Sequence, residues 1–70
     1  MAQIKSEMAG TLLEYRVKVG DSVSSGQEVA VLESMKMEVP LVSSSSGEVT
    51  RLVKEPNDFV DEGEVVIELK

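Results

Sequence analysis

The sequence predicts an all-β fold, a flattened barrel or sandwich of short strands built as two similar halves. Three observations carry this. Short apolar runs alternate with turn residues such as Gly20-Asp21, Ser24-Ser25-Gly26 and Glu55-Pro56-Asn57-Asp58, the pattern of strands joined at close intervals. No segment spaces its apolar residues three and four apart, as an amphipathic helix would. The chain also repeats itself at an offset of 37 residues without a gap: Gly10 aligns with Gly47, Asp21 with Asp58, Val23 with Val60, Gly26 with Gly63, Val29 with Val66 and Leu32 with Leu69. Turn glycines and aspartates recurring at one offset imply the same turns twice. Each half then holds about four short strands, and the halves are related by a pseudo-twofold.

Taken in order, residues 4–7 form a short strand ended by the small residues Ala9-Gly10, and residues 11–19 are extended, rich in Val, Leu and Tyr. Residues 29–32 and 39–42 form a central hairpin, 43–47 a polar connector, 48–53 a further strand and 65–69 the last one. If Met35-Lys36 is a two-residue hairpin loop, residue 34 pairs with 37, 33 with 38, 32 with 39 and 30 with 41. Strand alternation then places Ala30, Leu32, Met37, Val39 and Leu41 on the core face. Val29, Val31, Pro40 and Val42 fall on the outer face, which ends near the tip in Glu33 and Glu38. The repeat agrees, because Ala30 and Leu32 correspond to Ile67 and Leu69, whereas Val31 corresponds to Glu68. The expected core is therefore Leu12, Val23, Ala30 and Leu32 with their partners Val49, Val60, Ile67 and Leu69.

The hairpin breaks two local rules. Met-Lys is a poor dipeptide for a tight turn, which favours Gly, Asn or Asp where φ is positive. Glu33 and Glu38 would also face each other, and like charges directly opposite are destabilising. Local rules tend to fail at functional sites, so Lys36 reads as a lysine held out for a purpose.

Composition excludes most chemistry. Seventy residues make one domain, 1–70, whose core supplies only ~3–5 kcal/mol. There is no cysteine and no histidine, which rules out disulfides, Cys/His metal sites and catalysis by either residue. The net charge of −6, from 13 acidic and 7 basic residues, disfavours nucleic acid and anionic membranes. Tyr15 and Phe59 are the only aromatics, too few for a base-stacking platform. No apolar run approaches the ~20 residues of a membrane span, and the polar first seven residues do not resemble a signal peptide. Lack of cysteine suits a reducing compartment, and a cytoplasmic location is expected. The chain is expected to be a monomer and not an enzyme.

Glu33-Ser34-Met35-Lys36-Met37 resembles the Glu-Ala-Met-Lys-Met attachment motif of biotinyl/lipoyl carrier domains, in particular their biotinyl branch. Gly-Thr-Leu-Leu at 10–13, Val-Lys-Val-Gly-Asp at 17–21, Gly-Gln at 26–27 and Val-Leu-Glu at 31–33 match the same family in order. The spacing from Gly10 to Lys36 is that of members without an extra protruding loop. Ser34 stands in place of the usual alanine, and the prolines often found before the two repeat glycines are missing. The resemblance implies a flattened barrel of two four-stranded sheets. Lys36 would be the site of covalent biotin attachment, and Glu33, Ser34, Met35 and Met37 the flanking recognition motif.

The function so implied is that of a stand-alone, non-catalytic biotin carrier, ferrying a carboxyl group between carboxylase and carboxyltransferase sites. Its expected partners are a biotin protein ligase and the biotin carboxylase and carboxyltransferase subunits. A lysine amine attacks an activated acyl group only when exposed and transiently neutral, so the ligase has to supply both activation and base. The alternative is a lipoyl carrier, or a dual acceptor, served by a lipoyl ligase. Lipoyl members usually place Asp before the lysine and Ala after it, where this chain has methionines. A third reading, an unmodified β-barrel interaction module, leaves the central lysine and its paired methionines unexplained.

Overall fold

The short apolar runs are strands. The computed structural model describes residues 2–70, and Met1, the first residue of the expected domain, lies outside them. Among the described residues eight strands follow one another: β1 (Ala2–Lys5), β2 (Gly10–Tyr15), β3 (Ser22–Val23), β4 (Glu28–Ser34), β5 (Met37–Val42), β6 (Gly47–Leu52), β7 (Phe59–Val60) and β8 (Val65–Leu69). They form two four-stranded sheets, in the orders β1-β8-β6-β3 and β5-β4-β2-β7, with every pairing antiparallel. Under the 37-residue offset β1 becomes β5, β8 corresponds to β4, β2 becomes β6 and β3 becomes β7. Each sheet is thus the image of the other.

The likeness extends to single bonds. The Gly20 N–H donates to the Val49 carbonyl at 2.8 Å, and the Asn57 N–H to the Leu12 carbonyl at 2.7 Å. Asp21 accepts from the Lys18 N–H at 3.0 Å, and Asp58 from the Glu55 N–H at 2.9 Å. Gly20 and Asn57 both have left-handed backbone, φ 98° and 78°, a conformation open to Gly and tolerated by Asn. Equivalent turn chemistry closes both halves in the same way.

Between the sheets lie Leu12, Val23, Ala30 and Leu32 with Val49, Val60, Ile67 and Leu69, all buried as the repeat implies. Ile4, Val29 and Val66 are buried with them. The two glycines that begin β2 and β6 allow close approach. A Cβ on Gly10 would sit 2.6 Å from the Glu33 carbonyl oxygen, and one on Gly47 2.8 Å from that of Lys70.

Four expectations need correction. The first strand is Ala2–Lys5 rather than residues 4–7, because Ser6 turns the chain. Its hydroxyl donates to the Met8 carbonyl at 2.5 Å and accepts from the Met8 N–H. Ser43 makes the same pair of bonds with Ser45, so the polar connector expected after β5 is present and opens on a closed turn with Ser43 buried. Val29, placed outside by strict alternation, is fully buried, because the register slips between Glu28 and Ala30. A bulge sets two residues against one, and both Val29 and Ala30 end up inside. Val31 does lie in the outer row, but between Glu14 of β2 and Pro40 of β5, and as a central-strand residue it too is buried. Met37, placed inside by alternation, is 64% exposed. The hairpin runs past the last core layer, and an inward-facing side chain there meets no core.

Candidate functional site

The site is the hairpin that β4 and β5 raise above the sheet. Its register is the expected one: Ala30 opposes Leu41, Val31 Pro40, Leu32 Val39, Glu33 Glu38 and Ser34 Met37. Met35 and Lys36 alone make the turn, with φ of 53° and 64°. Positive φ at both central residues matches the right-handed twist of the flanking strands. For residues with a Cβ it costs roughly 1–2 kcal/mol each. Neither Met nor Lys is suited to that backbone, so this turn is held by the hairpin beneath it rather than by its own residues.

The outcome is display. Met35 is 90% exposed, and Lys36 is exposed without an ion-pair partner among the described residues. Below them Ser34 is half-buried beside Gly10, and Met37 is exposed. Glu33 and Glu38 face each other directly across the ladder, both exposed. Neither is in an ion pair among the described residues. The structure therefore brings together all five residues of the motif, as one amine flanked by two thioethers with a pair of carboxylates a step below.

The rest of the titratable chemistry is scaffold. Burial pushes the Tyr15 phenol up, an effect opposed by the Lys54 N–H beside it and reinforced by the Asp58 carboxylate. Its hydroxyl donates to the Lys54 carbonyl at 2.6 Å and accepts from the Lys54 N–H at 3.2 Å, pinning β2 to the segment after β6. Glu64 is held below the usual glutamate range by the Asp61 N–H and by Lys54. No group of three or more acidic, His or Cys side chains fit for a metal occurs among the described residues. A groove of about 200 Å³ runs along β5, lined by Met8, Leu32, Val39 and Leu41 among others. What the tip offers is an exposed amine between two exposed thioether side chains.

Comparison with known proteins places this architecture. The sequence pattern of the biotin/lipoyl family, described as "Biotin-requiring enzyme", matches residues 2–69. The chain belongs to the biotin/lipoyl family. Among its relatives is a "Biotin/lipoyl attachment protein" of Bacillus subtilis, 52% identical over 66 residues, which cover 94% of this chain and 90% of that one. The mitochondrial acetyl-CoA carboxylase of Saccharomyces cerevisiae is 40% identical over 67 residues, covering 96% of this chain but 3% of its own length. Among solved structures, the urea carboxylase of Kluyveromyces lactis superposes with a TM-score of 0.90 at 29% identity, covering 99% of this chain and 6% of that one. The family match runs through the hairpin, both sheets and both halves of the repeat.

Sequence reasoning missed the two-residue strands β3 and β7, too short to show any period. It also passed over the buried pair Ser6 and Ser43, although these too stand 37 residues apart and the repeat could have found them.

Proposed function

We propose that this protein is a biotin carrier in which Lys36 is the acylated residue. One observation carries the reading: an exposed lysine in a strained two-residue turn, inside Glu-Ser-Met-Lys-Met, on a domain of the biotin/lipoyl family. In the modification step the neutral Lys36 Nζ attacks the acyl carbon of an acyl-adenylate. The amide bond forms, the acyl–phosphate bond breaks, AMP leaves, and the amine proton passes to a base of the ligase. The chain contributes the nucleophile, and Glu33 and the two methionines contribute what the ligase reads. Acylation removes one positive charge from a chain already at −6.

When attached, biotin supplies the nitrogen that carries the carboxyl group. The protein's part is then position and recognition. A rigid double sheet with one mobile arm makes each partner site an intramolecular target, at an effective concentration set by the tether. The partners of this reading are a ligase, a carboxylase site that loads the arm and a carboxyltransferase site that unloads it. Relatives named as carboxylases support it.

Intact mass of the protein purified from cells tests the assignment. A single biotinyl increment is expected, mapping to Lys36 and lost in Lys36→Arg with the fold retained. An increment on Lys5, Lys18, Lys54 or Lys70 overturns it. A lipoyl reading stands second, because one relative is named for both groups. Met35 and Met37 favour biotin, since they present flexible apolar surface where the lipoyl pattern offers a charge and a methyl. Discrimination between ligases is a difference of affinities, and purified biotin and lipoyl ligases compared side by side decide it. Faster lipoylation replaces the first reading with the second.

A further inference from the structure

The outer face of the hairpin-bearing sheet carries a feature that neither the motif nor the fold demands. Glu38 of β5 opposes Glu33 of β4, Glu33 opposes Thr11 of β2, and Thr11 opposes Phe59 of β7. Residues directly opposite in a ladder share a face, so these four form one row across the whole sheet. With neighbouring strands about 4.8 Å apart, the row is roughly 14 Å long. Phe59 closes it at 62% exposure. It is one of only two aromatic residues in the chain, and the other is half-buried and hydrogen-bonded to the scaffold.

The repeat shows that the fold has no need of this aromatic. In the other sheet the equivalent of Phe59 is Ser22, also exposed, and it opposes Glu48, the equivalent of Thr11. The same strand closes the same way with a hydroxymethyl group. An exposed phenyl ring kept where serine serves equally well is apolar surface held in water, and it lies on the row just below Lys36.

We infer that Phe59 is a specificity-determining contact for the ligase that modifies Lys36, docking in an apolar pocket of that enzyme while a cationic group of the same surface meets Glu33 and Glu38. This rests on the carrier reading above. Reach selects the ligase over later partners. An unmodified lysine has only a four-carbon stem, so an enzyme that takes its amine into an active site must close against the hairpin's flanks, where this row lies. Once the arm is attached, partners can act on its far end without touching the row. Charge selects the chemistry of the docking surface: two exposed carboxylates sit face to face with no ion-pair partner among the described residues, and a cation between them removes their repulsion.

Phe59→Ser tests the inference, because Ser22 shows that the strand accepts serine. Biotinylation kinetics are measured with a purified biotin ligase, ATP and biotin, alongside Val19→Ser, which removes an exposed apolar side chain from outside the row. Phe59→Ser should raise KM for the carrier by about tenfold, the scale of one aromatic anchor, with kcat and the thermal midpoint retained, and Val19→Ser should match wild type. Glu38→Lys should raise KM further. Equal KM for Phe59→Ser and wild type overturns the inference and leaves the carrier reading intact. So does a defect confined to carboxylation of carrier biotinylated beforehand. A wild-type chain that accepts no biotin overturns both.

Discussion

Lys36 owes its exposure to backbone that its own turn disfavours. Two Cβ-bearing residues at φ 53° and 64° hold a conformation for which Asn and Gly are the ordinary choice. The strain is localised at the residue being presented, and the exposure of Met35 shows that the methionine is not repaid by packing. Met35→Asn should therefore raise stability by about 1 kcal/mol, relieving part of the left-handed cost. It should also slow modification by removing apolar surface beside the amine. Urea denaturation and a timed mass assay on one sample check both effects, and a less stable Met35→Asn would count against the strained turn. Much of this site was legible in the sequence, since a Met-Lys dipeptide between two apolar runs already signals a turn at odds with its residues. The solvent exposure of Met37 was not, because alternation gives a direction and not what lies along it.

At the scale of elements, paired turns do the same work with different side chains. Gln27 accepts the Ser24 N–H at 3.0 Å, and Glu64, its repeat partner, accepts the Asp61 N–H at 2.7 Å. Glu64 alone adds an ion pair, its other carboxylate oxygen meeting Lys54 Nζ at 2.9 Å. Its ionisation lies below the ordinary glutamate value of 4.5, so the folded state holds that proton less tightly than the unfolded chain. The resulting stabilisation is present above pH 4.5 and lost as pH falls through the lowered value. Glu64→Gln should keep the turn bond, as Gln27 does, and drop the ion pair. The lead of wild type over the variant in urea midpoint should be small, because the pair is only partly buried and open to solvent screening, level near neutral pH and gone in acid. A lead that persists below the lowered value would assign the effect to packing instead. Strand existence was readable from apolar runs, whereas bulges were not. Val29 and Ala30 both point inward because the ladder slips between Glu28 and Ala30, a choice made by pairing with β5.

For the whole molecule, the pseudo-twofold is an energetic statement as well as a geometric one. Leu32 and Leu69 are equivalent and both buried, so Leu32→Ala and Leu69→Ala should each cost ~2–5 kcal/mol. That is comparable with the whole stability of a domain this size. Matched chemical denaturation should find the two alike, and a large inequality would show that the halves do not share one core. The sheet edges are blunted too. Two of the four edge strands, β3 and β7, are two residues long, β5 carries Pro40 and β1 ends in Lys5, each a known deterrent to pairing with another chain. The domain is thereby guarded against association along its sheet edges.

By itself the sequence determined whatever depends on separation along the chain. The 37-residue repeat, the hairpin register and the buried set Leu12, Val23, Ala30, Leu32 and their partners follow from period two and from turn residues at one offset, and the turn that lifts Lys36 from the two apolar runs that meet around it. Tertiary structure decided what depends on the space opposite a side chain. It buried Val29 through a bulge, enclosed Val31 within a central strand, left Met37 beyond the core, and set Phe59 in line with Glu33 although 26 residues separate them. The division has a physical cause. Direction is set by the backbone of a few neighbouring residues, while burial and adjacency are set by strands that meet only when the two sheets close.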